Sequence, residues 1–348
     1  KIERNKNVNQ ILITSNTLSS SKILQNLKSK KIVHQFFPID TTFLCRKFLN
    51  YWKPSLVFFI DSEVWPNMIT CISNKKIPIT LLNGRISETT YNRWKNFPRF
   101  SKEIFSKLKL CFSSDSKSKS YLYKLGVKNI KTYGNLKFTQ SENENVKIDL
   151  KIKNFLKMKK VWCASSTHYP EELICANVHK KLVKKYKNLL TIIIPRHIER
   201  VQKIKSDLEN LGLNVYFDSS IGKINKNTDI YIVNSYGKTK SFYNICKNVF
   251  LGGSTINHGG QNPLEAARYG CEILHGPHIS NFTEIYKFLK VNNISSKIHD
   301  QNSMADKLIK LFSKKSRSVK ISSKINNIGK KVLIKTYNEI FLTFKNEI

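Results

Sequence analysis

Short apolar runs alternate with helix-like patterns along the whole chain, and this alternation is the feature that most limits the possible folds. In the first half, the predicted strands are Gln10–Ser15, His34–Ile39, Leu56–Asp61, Pro78–Asn83, Leu110–Ser114 and Asn129–Tyr133. Helical patterns such as Thr42–Trp52 and Lys117–Leu125 lie between them. Strands separated by helices predict a parallel sheet with helices on both faces and with ligands at the carboxyl ends of the strands.

The same alternation resumes in the second half. The predicted strands there are Val161–Ser166, Leu189–Pro195, Asp229–Asn234, Val249–Gly253 and Glu272–Leu274. The predicted helices are Pro170–Tyr186, Glu199–Leu211, Lys240–Cys246, Asn262–Tyr269, Phe282–Leu289, Met304–Phe312 and a Lys-rich segment from Val319 to Phe344. The polar stretch 139–146 predicts a linker. We therefore predict an α/β domain at 1–138, a second at 147–318 and a closing helical segment at 319–348.

The charge of the chain indicates an anionic partner. The 348 residues carry a formal net charge of +36, from 60 Lys and Arg against 24 Asp and Glu. Such a charge suits nucleic acid, an anionic membrane surface or an acidic substrate, although heavy use of Lys, Asn and Ile also fits an AT-rich coding sequence. The basic residues are spread along the chain, without aromatic-interleaved patches or a recognised module, so we predict no nucleic-acid partner.

The cysteine spacing and the hydropathy of the chain bear on whether it is a zinc-binding, disulfide-bonded or membrane-spanning protein. The seven cysteines occur singly and form no C-x-x-C pair, which signals neither a zinc site nor a disulfide framework. No apolar run approaches the roughly 18 residues that a membrane-spanning helix needs. The chain opens at Lys1 rather than at Met, and we expect the natural N-terminus, with any membrane anchor, to lie upstream.

A glycine-rich stretch from Leu251 to Glu284 is the strongest candidate for a ligand site. Its loop glycines let the backbone turn tightly and approach a ligand, and they are Gly252, Gly253, Gly259 and Gly260. Asn262 then has the character of a helix N-cap, with Pro263 at the first helical position and Glu265 three residues after the cap. Such a helix start favours an anion, most naturally a phosphate. The alternative is an ordinary, well-capped strand-to-helix turn.

Two other strand ends in the second half carry candidate groups. Ser165, Ser166, Thr167 and His168 follow a predicted strand, and small hydroxyls at such a turn suit phosphate or carboxylate. The alternative is simple N-capping before the acidic pair Glu171-Glu172. A hydrolase is not indicated, since the chain has no G-x-S-x-G elbow. Arg196 ends an apolar strand, where a guanidinium would clamp a phosphate or carboxylate, unless it pairs with a helix-start Glu.

Two predicted strand ends in the first half are also followed by polar and charged residues. Asp61 and Glu63 follow an apolar strand, and Asn83 and Arg85 follow the next one. Glu63 could instead complement a helix dipole, and Arg85 could form a surface ion pair. His275 and His278 lie three residues apart but lack a third ligand with suitable spacing, so we predict no metal site.

Several uncommon sequence motifs occur together, and in combination they resemble the family of 3-deoxy-D-manno-octulosonic acid (Kdo) transferases. They are GGS, GGQNPLEAARYG and GPHISNF in the glycine-rich stretch, with S-T-H-x-x-E-E at 166–172, P-R-H at 195–197, G-N-L-K-F at 134–138 and D-S-E-V-W-P at 61–66. Asp61 stands where the family more usually has Glu. The resemblance covers the chain from about Gln10 to the last helix. It implies the GT-B fold, in which two Rossmann-like α/β domains with parallel sheets face each other across a cleft and the C-terminal helix crosses back.

The resemblance also implies site residues. In the family, P-R of the P-R-H word contacts CMP, and so does a loop that usually ends in Gly-Glu, where this chain has Lys238 instead of the acid. The implied CMP-Kdo residues are Ser165, Thr167, His168, Pro195, Arg196, Tyr236, Gly237, Lys238, Gly253, Ser254, Asn262, Pro263, Leu264 and Glu265. Glu265 would accept hydrogen bonds from the ribose hydroxyls. Asn83 and Arg85 would lie on the acceptor side, and Glu63 would orient or support the acceptor.

The implied function is the inverting, metal-independent transfer of Kdo from CMP-Kdo to a lipid A precursor, without a cofactor, at the cytoplasmic face of the inner membrane. In the family, the Glu of a Gly-Glu word before the strand matched by Gln10–Ser15 is the proton acceptor. Here only Glu3 precedes that strand, without a Gly, so we expect the catalytic base upstream of Lys1. The alternatives are another GT-B enzyme with a different nucleotide sugar and a nucleic-acid-binding protein.

Overall fold

The computed structural model describes residues 2–25, 29–139, 148–218, 225–313 and 319–345. The chain divides into two compact units. One comprises Lys1–Thr139 together with Gly329–Ile348, and the other comprises Gln140–Ile328. Most of the stretch predicted as a linker, residues 140–146, lies outside the described residues.

The first unit is an α/β unit with parallel strands. Its strands are β1 (Ile11–Ser15), β2 (Ile32–Phe36), β3 (Val57–Ile60), β4 (Ile79–Gly84), β5 (Leu110–Ser113) and β6 (Ile130–Lys131). Its helices are α1 (Leu18–Gln25), α2 (Thr42–Trp52), α3 (Pro66–Asn74), α4 (Glu88–Lys95), α5 (Pro98–Phe105), α6 (Ser116–Leu125) and a 3-10 helix (Leu136–Thr139). Among the described residues, β1 pairs with β2, and a separate sheet has the order β3-β4-β5-β6.

The strand predicted at His34–Ile39 is placed differently in the structure. The strand begins at Ile32 and ends at Phe36. Pro38 has no N–H to donate to a neighbouring strand, and it also restricts the backbone conformation of Phe37. The strand therefore stops ahead of the Phe37-Pro38 pair. Ile39, which the prediction placed in the sheet, is 75% exposed.

The second unit contains a larger parallel sheet. Its strands are β7 (Lys160–Thr167), β8 (Leu189–Pro195), β9 (Val215–Phe217), β10 (Ile230–Ile232), β11 (Asn248–Leu251), β12 (Glu272–His275) and β13 (Ser295–Lys297). Its helices are α7 (Leu150–Lys157), α8 (Glu171–Val183), a 3-10 turn (Ile198–Arg200), α9 (Val201–Glu209), α10 (Thr239–Ile245), α11 (Leu264–Arg268), α12 (Thr283–Val291) and α13 (Gln301–Phe312). The last helix, α14 (Val319–Thr343), begins in this unit and ends in the first.

Helices α8 and α9 of the second unit are shorter than the sequence pattern predicts. The helix predicted at Glu199–Leu211 is split, because Ile198–Arg200 forms a 3-10 turn and the α-helix runs only from Val201 to Glu209. Short 3-10 segments are common at helix ends, where they tighten the first or last turn. The helix predicted at Pro170–Tyr186 begins one residue later and ends at Val183.

The core of the second unit explains why its central strands read as continuous apolar runs. All seven residues of β8 are buried, and Trp162, Ile193 and Phe250 lie in one apolar cluster with residues of α8, α9 and α13. A parallel strand that is covered by helices on both faces has no solvent side, so its apolar residues do not alternate with polar ones.

The order of the strands places a topological switch point in the middle of this sheet. Within the described residues the order is β13-β12-β11-β7-β8-β10-β9, and the paired strands run parallel. From β7 the chain first builds β8 to β10 on one side, and then returns to build β11 to β13 on the other. The switch point therefore lies between β7 and β11, and ligands of open parallel sheets bind outside the strand ends at such a point.

The end of α14 packs within the first unit. The Tyr133 hydroxyl donates a hydrogen bond of 2.8 Å to Glu339 Oε2, and Lys131 Nζ lies 3.1 Å from Glu339 Oε1. A Cβ on Gly329 would stand 2.1 Å from the Phe138 carbonyl oxygen. Only glycine allows the helix to approach the G-N-L-K-F segment this closely.

Candidate functional site

Three neighbouring strands of the second unit end at the switch point and carry the predicted groups there. Leu251 at the end of β11 pairs with Ser165 of β7, and Thr167 of β7 pairs with Pro195 of β8. The pairing shifts register at Ser166, whose φ of 56° lies in the left-handed region. An irregularity next to a sheet end re-aims the residues that follow it, here Thr167 and His168.

The Glu171 side chain holds the glycine-rich loop in place. Its carboxylate accepts hydrogen bonds from the backbone N–H groups of Gly253 at 2.7 Å, Ser254 at 3.1 Å and Thr255 at 3.1 Å. It also accepts from the Thr255 hydroxyl at 2.8 Å and from the His168 N–H at 3.0 Å. Glu171 is fully buried. A buried carboxylate is stable only when such donors replace its water, so this contact fixes β7, α8 and the loop after β11 together.

Two positions of the loop require glycine, one because of a close contact and the other because of its backbone conformation. A Cβ on Gly252 would stand 2.5 Å from the Ser166 carbonyl oxygen and 2.7 Å from Glu171 Oε2. Gly253 has a φ of 64°, a backbone conformation that residues with a Cβ rarely adopt. Gly252 therefore serves the close packing of the loop on Glu171, with its N–H donating to the Ser165 carbonyl at 2.8 Å. The Gly253 N–H donates to the Glu171 carboxylate.

The second acid at the start of α8 anchors a different loop. Glu172 is buried and accepts a hydrogen bond from the Thr167 hydroxyl at 3.0 Å. The guanidinium of Arg200 donates to both of its oxygens, at 3.2 and 3.3 Å. Such a bidentate ion pair has a defined geometry, so it orients the 3-10 turn that follows β8. Arg200, rather than Arg196, is thus the arginine that pairs with a helix-start Glu.

Three imidazole rings meet beside the glycine loop. The His168 ring centroid lies 4.3 Å from that of His258 and 5.7 Å from that of His197. Burial, followed by the charge of His258, lowers the pKa of His168 from 6.5 to about 4. His168 is buried, whereas His197 and the preceding Arg196 are exposed. The neutral form of His168 therefore dominates at neutral pH.

The predicted loop at Tyr236-Gly237-Lys238 is held by a buried acid. Lys238 forms an ion pair with Asp218, which is buried and also accepts a hydrogen bond from the Tyr231 hydroxyl. Gly237 has φ of 85°, and Tyr236 is 66% exposed with its hydroxyl 3.2 Å from Glu199 Oε1. Lys238, which replaces the acid expected from the resemblance, consequently has an acidic partner of its own.

The helix start predicted at Asn262 differs in detail from the prediction. The helix α11 covers only Leu264–Arg268, and Asn262 Oδ1 accepts a hydrogen bond from the Leu264 N–H at 3.1 Å. Pro263 is the residue that precedes the helix. The reciprocal bond of a capping box, from Glu265 back to Asn262, does not form among the described residues. The Glu265 carboxylate instead lies 4.0 Å from Lys240 Nζ. Burial raises the pKa of Glu265.

Two predicted hydroxyls are used inside the protein. Ser165 is fully buried, and its hydroxyl lies 2.7 Å from the Tyr243 hydroxyl. The Ser254 hydroxyl donates to the Leu251 carbonyl at 2.5 Å and accepts from the Gly276 N–H at 2.9 Å. These two side chains therefore hold strand ends together, and their backbone lies at the same edge as Thr167, His168 and Pro195.

Among the residues that the structure describes, no group of three His, Cys, Asp or Glu side chains could hold a metal ion. His275 is buried beside Tyr286, with Nδ1 2.8 Å from the Gly276 carbonyl oxygen. Burial lowers the pKa of His275. This histidine therefore has a packing partner and a hydrogen-bond partner within the protein.

In the first unit, Asp61 and Asn83 join three segments. Both have left-handed backbones, with φ of 58° and 54°, which Asp and Asn tolerate better than most residues. The Asn83 amide donates to Asp61 Oδ1, and its oxygen accepts from the Leu136 N–H at 2.9 Å. Asn83 is buried, so its side chain connects the ends of β3 and β4 to the G-N-L-K-F segment.

The other two predicted acceptor-side residues lie near this junction. Glu63 Oε2 accepts a hydrogen bond of 2.6 Å from Trp65 Nε1, which orients its exposed carboxylate. Arg85 donates its backbone N–H to the Asp61 carbonyl at 3.1 Å and accepts at its own carbonyl from the Ser62 hydroxyl at 2.8 Å. The strand ends at Asp61 and Asn83 thus bring Glu63 and Arg85 to one edge of the first unit.

Sequence reasoning missed the partners of several site residues. Glu171 was treated as part of an acidic first helical turn, although it binds a loop more than eighty residues away. His258 and Asp218 were not singled out. A signal for His258 was present, because it stands inside the glycine-rich loop, whereas Asp218 carries no local pattern that would indicate its pairing with Lys238.

Comparison with solved structures defines the fold class. The chain matches the UDP-GlcNAc 2-epimerase from Neisseria meningitidis bound to UDP-GlcNAc with a TM-score of 0.61 at 15% identity, over 97% of this chain and 94% of that one. It matches a trehalose-6-phosphate synthase with a TM-score of 0.56 at 10% identity, over 97% and 99% of the two chains. The predicted class is confirmed: the chain has the GT-B fold of glycosyltransferases.

Comparison with known sequences defines the family. A family model described as 3-Deoxy-D-manno-octulosonic-acid transferase (kdotransferase) matches residues 1–140. The chain is 30% identical, over 96% of its length, to the 3-deoxy-D-manno-octulosonic acid transferase of Rickettsia prowazekii, of which it covers 69%. It is 28% identical, over 93% of its length, to that of Haemophilus influenzae, of which it covers 76%. The chain belongs to the 3-deoxy-D-manno-octulosonic acid transferase family of glycosyltransferases.

The chain is shorter than these relatives. It covers 66% of the Rickettsia bellii transferase, to which it is 34% identical, and 65% of the Rickettsia felis transferase.

Proposed function

We propose that the chain transfers Kdo from CMP-Kdo to a lipid A precursor, with inversion and without a metal. The observation that carries the proposal is the Glu171-anchored glycine loop at the sheet's switch point, with Arg196 at the end of the neighbouring strand. This is the position where open parallel sheets bind nucleotides. Membership of the Kdo transferase family makes CMP-Kdo the proposed donor.

The donor's phosphate would be held mainly by side chains. The N–H groups of Gly253, Ser254 and Thr255 already donate to Glu171, so they are engaged elsewhere. Arg196 is exposed at the strand end, and its guanidinium can bind the phosphate through two parallel hydrogen bonds. Asn262 to Glu265 and the Tyr236-Gly237-Lys238 loop would complete the CMP site, with Glu265 on the ribose.

The reaction needs stabilisation of a departing nucleotide and orientation of an acceptor hydroxyl. Arg196 would stabilise the negative charge that develops on CMP as the glycosidic bond breaks, and a prepositioned cation does so without reorganising. Glu63, Asn83 and Arg85 would orient the acceptor in the first unit. Asn83 acts there through the backbone it fixes, because its side chain is buried and bonded to Asp61 and Leu136.

A peripheral contact with an anionic membrane is part of the proposal, because a lipid acceptor resides there. Helix α2 buries Cys45 and Leu49 but exposes Phe43 at 74% and Tyr51 at 78%. Arg46 and Lys47 are exposed between them. Aromatic and basic side chains on one helix face suit the headgroup region of an anionic surface. No helix in the described part of the chain is long and apolar enough to cross a membrane.

A donor-binding experiment tests the proposal against a GT-B enzyme that uses another nucleotide sugar. We would titrate the full chain with CMP, UDP and cytidine by calorimetry. The proposal predicts that CMP binds, that cytidine binds more weakly because it lacks the phosphate, and that UDP binds more weakly than CMP. Tighter binding of UDP than of CMP would contradict the proposed donor.

A further inference from the structure

We infer that His168, His197 and His258, together with Arg196, form an oxyanion subsite that takes up a proton when it is filled. The inference rests on the proposed function, because it lies beside the donor site, but its test does not require transfer activity. The inference adds His197 and His258 to the predicted site. It also assigns proton-coupled binding to the cluster, which the donor site alone does not require.

The cluster is assembled from three separate segments. His168 follows β7, Arg196 and His197 follow β8, and His258 lies in the loop after β11. The ring centroids of His168 and His258 are 4.3 Å apart with the planes tilted by 42°, and His197 meets the His168 ring edge-on at 5.7 Å. These distances bring three titratable rings into one neighbourhood at the switch point.

Gly253 forms the floor of this neighbourhood. A Cβ at Gly253 would lie 3.4 Å from Cδ2 of His168, 3.4 Å from Cδ2 of His258 and 3.3 Å from Nε2 of Gln261. The glycine that Glu171 holds therefore also sets how closely the two rings approach. The subsite is thus built on the same anchored loop as the donor site.

The charges around His168 disfavour its protonation in the free protein. The groups that act on it are His258, His197 and Arg196, which oppose a positive charge, and Glu171, which favours one. The attraction of Glu171 is smaller than the opposing effects of burial and of His258. Burial is the largest cause, the charge repulsion adds to it, and together they lower the pKa of His168 to about 4.

His168 also has a partner that suits a neutral ring. Its Nε2 lies 3.3 Å from the amide nitrogen of Gln261, and an amide nitrogen can only donate, so the ring nitrogen accepts. Protonation would require the Gln261 amide to turn and present its oxygen. The amide can do so, because its two ends are nearly equal in size.

An anion in this cluster reverses the balance. A nearby negative charge raises the pKa of each imidazole, so a ring that is neutral in the free protein becomes a cationic donor once the anion binds. Linkage requires the converse: protonation then tightens anion binding, by tenfold for each unit by which the bound anion raises the pKa. The chemistry fits an oxyanion, which the phosphate of a nucleotide or the carboxylate of a sugar acid could supply.

The test follows the histidine ring signals of the full, ¹⁵N-histidine-labelled chain by NMR as the pH is lowered from about 8 to about 3. This range includes both the ordinary pKa of histidine and the lowered pKa of His168. Sodium sulfate is the first probe, with sodium chloride at matched ionic strength as its control. We expect sulfate to move the midpoint of His168 upward by about one unit or more. Equal midpoints in sulfate and in chloride would overturn the inference.

Three further probes identify the source of the oxyanion. CMP supplies a phosphate, the free sugar acid supplies a carboxylate, and cytidine supplies neither. A shift with CMP alone assigns the subsite to the phosphate, and a shift with the sugar acid, alone or added to CMP, assigns it to the carboxylate. A shift of equal size with cytidine would contradict an oxyanion subsite. If sulfate moves the midpoint but CMP does not bind, the subsite stands and the proposed donor fails.

Variants separate this role from a structural one. His197→Gln and His258→Gln each remove one ring, and we expect each to reduce the sulfate-induced shift of His168 severalfold. His299→Gln is the matched control, because His299 is exposed just before α13, and it should leave the shift unchanged. A full-size shift in the His197→Gln, His258→Gln double variant would overturn the inference, provided that the thermal unfolding midpoint matches the wild type.

Discussion

Glu171 Oε2 accepts the backbone N–H of Gly253 at a distance of 2.7 Å, and this bond joins the start of α8 to the loop after β11 across the switch point of the sheet. The two residues are 82 positions apart in sequence. The contact turns a glycine-rich loop, which could otherwise adopt many conformations, into a fixed floor for the candidate donor site.

Replacement of Glu171 by Gln should destabilise the protein. The amide has a similar shape but lacks the charge, and its NH₂ group would face N–H donors of the loop, so buried donors lose their acceptor. We expect a loss of about 3 kcal/mol in the free energy of unfolding, measured by urea denaturation. Glu284→Gln is the control, because Glu284 is exposed and pairs with the exposed Lys287 nearby. An unchanged free energy for Glu171→Gln would contradict the anchoring role.

Replacement of Gly252 by Ala tests the close packing under the loop. The added Cβ would stand 2.5 Å from a backbone oxygen and 2.6 Å from a backbone Cα, neither of which can move freely. We expect a cost of about 2 kcal/mol from overpacking and weaker CMP binding. Gly212→Ala is informative beside it, because that Cβ meets nothing within 4 Å at φ of 76°, so only backbone strain of about 1 kcal/mol applies. Equal effects would show that packing under the loop is unimportant.

Arg196→Ala should weaken CMP binding and leave the fold intact. The guanidinium is exposed at the end of β8, so its loss removes no buried packing. Losing a charge-assisted pair with the phosphate should cost about 1.5–3 kcal/mol, or roughly 10- to 150-fold in affinity, by calorimetry. Arg93→Ala on the exposed face of α4 controls for lost charge. Wild-type affinity in a folded Arg196→Ala protein would remove this residue from the site.

Binding to anionic lipid vesicles should fall as the salt concentration rises. The charge of +36 attracts an anionic surface, and exposed charges are screened beyond about 10 Å at 0.1 M salt. Neutralising both Arg46 and Lys47 should cost about 2 kcal/mol, or ~30-fold, in co-sedimentation. The paired substitution of Lys119 and Lys124, which are exposed on α6, removes the same charge from another helix. Equal losses in the two double variants would show that α2 has no special role.

The fold was largely predictable from the sequence, because apolar periodicity directly reports burial. The strand Leu189–Pro195 was predicted with the bounds that the structure has, since seven buried residues leave no ambiguity. The strand near Ile32 was misplaced, because Phe37 and Ile39 are apolar although they lie beyond the last ladder pair. Apolar character alone does not distinguish a strand from the loop that follows it.

The site was only partly predictable, because its contacts are not local. The glycine loop, His168 and Arg196 have recognisable sequence words, and the structure brings them to neighbouring strand ends. The acceptor of the loop's N–H groups is Glu171, whose sequence context is that of any acidic helix start. The same holds for Asp218 and Lys238, which are joined only once β9 and β10 are paired.

The most direct measurement of the central claim is sugar transfer by the full-length protein that contains this sequence. Labelled CMP-Kdo and a phosphorylated glucosamine lipid A precursor would be incubated with the wild type and with Arg196→Ala, and a UDP-sugar would serve as the competing donor. The account predicts labelled lipid from CMP-Kdo, with release of CMP, an inverted anomeric centre and the same rate in the presence of a chelator, and it predicts a lower rate for Arg196→Ala. Transfer from the UDP-sugar with none from CMP-Kdo would contradict it.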